Sequence, residues 1–95
     1  MLQYEELGLK LEDLKPDIDD LANALGLERC RRDADELEIK ASAPNFWDDM
    51  ASAQSVLQRI SGLKETIAQY EKLLSDYQDA LTLIELANEE EDDSL

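Results

Sequence analysis

The chain has 95 residues, 24 acidic and 9 basic, with no histidine and a formal charge of −15. That length holds one domain, and the charge repels nucleic-acid backbones and anionic membranes, which argues against a stand-alone nucleic-acid binder. The absence of His removes the usual general base, the commonest metal ligand and every Ser–His or Cys–His nucleophile pair. Leu, Ile, Val and Phe make up about a quarter of the chain, above the roughly 20% below which chains stay disordered.

The single cysteine, Cys30, cannot form an internal disulfide, and the opening MLQYEEL is acidic where a signal peptide is basic and then apolar. These features point to a cytosolic protein. No stretch approaches the ~20 apolar residues of a membrane span. Gly8, Gly26 and Gly62 stand singly, so no Gly-rich phosphate cradle is present.

Apolar residues at alternating steps of three and four predict helices packed along a seam. The first stripe is Leu7, Leu11, Leu14, Ile18, Leu21 and Leu25. It keeps phase across Pro16, where a kink or a restart is expected because proline lacks a donor and disfavours helix before it. Asp17, Asp19 and Asp20 suit the positive end of a restarted helix, and Gly26 suits its end. A second stripe, Leu27, Cys30, Ala34, Leu37 and Ala41, predicts about four turns of helix, ended by Ser42, Ala43 and Pro44. Asp48 or Asp49 can cap the next helix. The third stripe runs Ala53, Val56, Ile60, Leu63, Ile67, Tyr70, Leu74, Tyr77, Leu81 and Ile84, implying a helix of roughly 40 residues and about 60 Å. A compact globule of this length would have a radius of gyration of only about 12 Å, so an elongated molecule is expected. The fold class is all-α: an elongated antiparallel helical bundle or coiled coil of about three helices, the last one very long.

The end of the long helix carries more apolar surface than one seam uses. Leu73, Ala80 and Ala87 flank the stripe, while Leu83 and Leu86 lie well around from it; these five form a candidate surface for a further helix or a partner. Asp17, Asp19 and Glu28 match three positions of a calcium loop, but Leu21 and Ala22 stand where an oxygen ligand and a Gly are required. No metal, cofactor-binding or catalytic residue is assigned. The run from Glu89 to Asp93 reads as a solvated helix end or turn, after which Ser94 can cap another helix. Arg29, Arg31 and Arg32 read as neutralising acids of a neighbouring helix, and Cys30 as a small buried hydrophobe between them. Phe46 and Trp47 are the sole Phe and Trp, adjacent in an inter-helix connection. They either plug the end of the bundle or form an exposed anchor for a partner, and the need to seal a small bundle favours the plug.

The passage APNFWDD, with ADELE before it and Ala53-Gln54 after it, resembles the N-terminal domain of the bacterial peptide chain release factor 2 family. Pro44, Phe46, Trp47 and Asp49 carry the motif, read as structural. The continuation LKETIAQYEKL through LIELANEEEDD resembles the same domain up to the acidic turn before its returning helix. The turn near Gly26 and the interruption at Pro16 depart from the family pattern. The motif also separates the chain from release factor 1. The resemblance implies that residues 1–95 are an N-terminal helical domain lacking the returning helix, which would pack on Leu73, Ala80 and Leu83. It also implies a role in translation termination, with the ribosomal stalk base and release factor 3 as partners. The Ser-Pro-Phe motif that reads the stop codon and the Gly-Gly-Gln loop that promotes peptidyl-tRNA hydrolysis are absent from this sequence, so the chain is not expected to be an enzyme. The rival reading is a generic acidic coiled coil that self-associates through the uncovered helix face. Tyr70 and Tyr77 on the seam disfavour a regular parallel dimer.

Overall fold

The computed structural model describes residues 4–93, with side chains through residue 91. Four α-helices follow one another: α1 (Glu5–Glu12), α2 (Lys15–Leu25), α3 (Leu27–Ala41) and α4 (Met50–Asp93), with a 3-10 turn at Phe46–Asp48 before the last. Among the described residues there is no strand, and the fold is all-α. Ser94, the expected cap of another helix, lies outside the described residues.

Pro16 marks a restart. Helix α1 closes with Asp13 N–H donating to the Leu9 carbonyl at 3.1 Å and Leu14 N–H to Leu11 at 3.0 Å. Helix α2 opens with Ile18 N–H donating to the Leu14 carbonyl at 3.0 Å. Pro16 therefore sits among the first four residues, whose N–H groups have no intrahelical partner, and its missing donor costs nothing. Gly26 separates α2 from α3 with φ of 63°, a left-handed conformation that strains any residue with a Cβ. Its carbonyl accepts the Cys30 N–H at 2.9 Å and so begins α3 directly. At the start of α4, Asp49 Oδ1 accepts the Ser52 N–H at 3.1 Å, the capping bond its position predicted. The acidic residues 89–93 form the end of α4, the helix end rather than the turn of the two readings.

The chain divides into two compact units, which are described separately. In the unit of residues 23–70, Phe46, Ala53, Val56 and Ile60 are buried together, with Leu37 and Ala41 of α3 packed against them. Helix α3 runs antiparallel to α4 here, since Leu37 and Ala41 near its end meet the start of α4. Asp33 and Glu38 on α3 pair with Arg59 and Lys64 on α4. These residues are largely exposed, so the pairs add little stability. Leu27, Ala34, Leu63 and Tyr70 are also buried, as the second and third stripes predicted.

In the unit built from residues 4–22 and 71–93, the α1 backbone approaches α4 closely at Gly8, where an added Cβ would lie 3.3 Å from Ile84 Cγ2. Gly8 against Ile84, and Ile18 near Leu73 and Tyr77, again give antiparallel packing. Of the first stripe, Ile18 alone is buried, while Leu7, Leu14, Leu21 and Leu25 are exposed. A pair of helices can close only one line of contact, so leucines to either side of it stay open.

The two glycines Gly26 and Gly62 make a controlled pair, because a Cβ at either would meet nothing within 4 Å. Gly26→Ala should lower unfolding free energy by about 1 kcal/mol through its left-handed backbone alone. Gly62→Ala, within α4, should raise it by about 0.5 to 1 kcal/mol. Urea titration followed by helical circular dichroism measures both.

Candidate functional site

The connection between α3 and α4 is built by its backbone before its aromatics matter. Pro44 cannot continue a helix, and the Phe46 N–H turns back to the Ala43 carbonyl at 3.0 Å, then Asp48 N–H to Asn45 at 3.1 Å. In a 3-10 turn successive side chains point about 120° apart, so Phe46 and Trp47 cannot both enter one core. Phe46 is 9% exposed and joins Ala53, Val56 and Ile60, whereas Trp47 is 54% exposed. The two rings meet edge to face with centroids 5.2 Å apart and planes at 83°. The expected plug is therefore Phe46 alone, and the reading of Trp47 as a buried plug is corrected. Of the other motif residues, Asp49 caps α4 and Pro44 lies exposed in the turn.

A second feature lies within the other unit. Leu11, Leu14, Ile18 and Leu21 from the first stripe and Leu73, Tyr77 and Ala80 from α4 line an open apolar hollow of about 410 Å³, edged by Asp17 and Asp76. Two of the five residues singled out on the long helix, Leu73 and Ala80, line it. The other three do not: Leu83 and Leu86 are 66% and 55% exposed, and Ala87 is half-buried. Sequence reasoning missed the facing wall, although its signal was present in the phase of Leu11, Leu14 and Leu21. At the edge, the Lys72 ammonium donates to Asp76 Oδ2 at 2.8 Å. This hydrogen bond, and then the carboxylate charge, raises the Lys72 pKa above its ordinary value.

Arg29, Arg31 and Arg32 are all exposed on α3. The cross-helix pairs Asp33–Arg59 and Glu38–Lys64 place acids on α3 and bases on α4. Cys30 is half-buried and its thiol donates to the Leu25 carbonyl at 3.6 Å, fastening the elbow around Gly26. Asp17 and Asp19 lie in α2 and Glu28 in α3. Among the described residues no group of three or more His, Cys, Asp or Glu side chains is placed to hold a metal. No helix among them is long and apolar enough to cross a membrane.

The chain is an all-α helical domain related to translation termination factors. The proteins it resembles are peptide chain release factor 2. That of Salinispora tropica is 39% identical over 83 residues, covering 87% of this chain and 22% of that protein. That of Acidothermus cellulolyticus is 36% identical over 92 residues, 97% of this chain and 25% of that protein, and that of Petrotoga mobilis is 27% identical over 90 residues, 95% and 24%. The chain thus spans about a quarter of the length of the curated relatives it matches. No family model and no solved structure matches it.

The split roles of the two rings give opposite mutational outcomes. Phe46→Ala should destabilise the chain by about 3 kcal/mol through loss of buried area and the cavity left behind. Trp47→Ala should cost no more than about 1 kcal/mol, mostly the edge-to-face contact. Chemical denaturation distinguishes them. A raised Lys72 pKa means its pairing is intact through neutral pH and lost as pH rises through that pKa. Asp76→Asn should bring the value back toward 10.5, as read by NMR titration of the Lys72 side chain.

Proposed function

We propose that the chain is the N-terminal helical part of a translation termination factor of the release factor 2 family. In this reading it acts through contacts of helix surfaces with the ribosome and carries no chemistry of its own. The observation that carries the reading is the alignment with release factor 2 across 87% to 97% of the chain at 39% and 36% identity. The Pro44 to Asp49 passage supports it, as a turn whose shape depends on residue types seldom adjacent. Stop-codon reading and peptidyl-tRNA hydrolysis belong to the other three quarters of such a factor. The stalk base of the ribosome and release factor 3 are the proposed partners, and the cytoplasm the proposed location. The hollow beside Leu73 and Ala80, together with neighbouring Leu83, would take a further helix of that factor.

The rival reading, self-assembly of an acidic coiled coil, draws on the same hollow and on the exposed Leu83 and Leu86. Against it stand Asp17 and Asp76 at the edge and a charge of −15 on each copy. A chimaera tests the main reading. With this chain in place of the matching quarter of Salinispora tropica release factor 2, peptide release from stop-codon-programmed ribosomes should stay close to that of the parent factor. Release no better than from a chimaera with an unrelated helical hairpin refutes it. The chain alone should release no peptide and should run as a monomer in light scattering at high micromolar concentration; an obligate dimer favours the rival.

A further inference from the structure

Trp47 is left over from folding. Phe46 alone fills the place beside Ala53, Val56 and Ile60, and Trp47 stays 54% exposed although nothing in the core requires it. An isolated exposed apolar residue is ordinary, but three features set this one apart. The first is its support: the Ala43–Phe46 and Asn45–Asp48 backbone bonds and the Asp49 cap shape the turn, and the indole lies edge to face with Phe46. Tryptophan has only two side-chain torsions to fix, so an indole presented this way gives a large contact at low entropic cost. The second is Met50, three residues on and also exposed, a side chain type whose flexible thioether adapts to a partner's surface. The third is charge. Asp48 and Asp49 directly follow Trp47 in the chain, and residues 43–58 contain no Lys or Arg. That field repels phosphates and attracts a basic rim.

We infer that Trp47 is a pre-positioned anchor that inserts into an apolar pocket, rimmed by Lys or Arg, on a protein component of the ribosomal surface to which the chain docks. The inference rests on the ribosomal role proposed above. Tryptophan is among the residue types most enriched at such energetic centres, and the two acids that follow it favour a protein partner over RNA.

The test uses the whole chain and purified bacterial ribosomes. Cosedimentation compares the unaltered chain with Trp47→Ala and Trp47→Phe, and a second preparation carries p-benzoylphenylalanine at position 47 for photo-crosslinking. Binding should weaken at least about tenfold in Trp47→Ala and less in Trp47→Phe, as for an interface centre. The urea midpoint should stay near that of the unaltered chain, and the crosslink should fall on a ribosomal protein. Undiminished binding by Trp47→Ala overturns the anchor while leaving the ribosomal role standing, and a crosslink to ribosomal RNA overturns the protein pocket. Failure of the unaltered chain to cosediment removes the ribosomal role and the anchor with it.

Discussion

The packing of this protein depends on one stripe of one helix. Along α4, Ala53, Val56, Ile60, Leu63, Tyr70 and Tyr77 are buried, and Ile67, Leu74, Leu81 and Ile84 are half-buried. No other element among the described residues carries an apolar stripe of this length. Helices α1, α2 and α3 are each too short to persist alone in water, and gain their order by covering part of that stripe. Their breaks fall where the chain has a local reason to break, at Pro16 and at Gly26. In both places the apolar phase resumes on the far side, because a helix that lost phase would turn its leucines away from α4.

That dependence also explains what stays uncovered. Two antiparallel helices share one line of contact, and side chains on either side of it need a third wall. In the unit of residues 23–70 the turn supplies part of one, since Phe46 folds back over Ala53, Val56 and Ile60. In the unit of residues 4–22 and 71–93 the described residues supply none, and Leu11, Leu14 and Leu21 face Leu73 and Ala80 across an open hollow. The curated relatives that the chain matches are about four times as long as it is. The acidic surface fits the same picture. A charge of −15 opposes association with copies of itself and with nucleic acid, and the exposed pairs Asp33–Arg59 and Glu38–Lys64 offset only a little of it locally.

The sequence by itself determined the helices, their order and the stripe that organises them. Apolar period, proline, glycine and an aspartate cap are short-range signals, and each acts on backbone within a few residues. The motif around Phe46 and Trp47, and through it the kinship with release factors, was legible for the same reason. Tertiary structure alone decided which of the two adjacent rings enters the core, because that depends on how the 3-10 turn is rotated about Ala53 and Ile60. It also decided which leucines lack cover. Leu73, Ala80 and Ala87 recur at heptad spacing beside the stripe, yet only Leu73 and Ala80 line the hollow that Leu11, Leu14 and Leu21 face, since the crossing of two helices sets what lies beside their seam and no local pattern encodes that crossing.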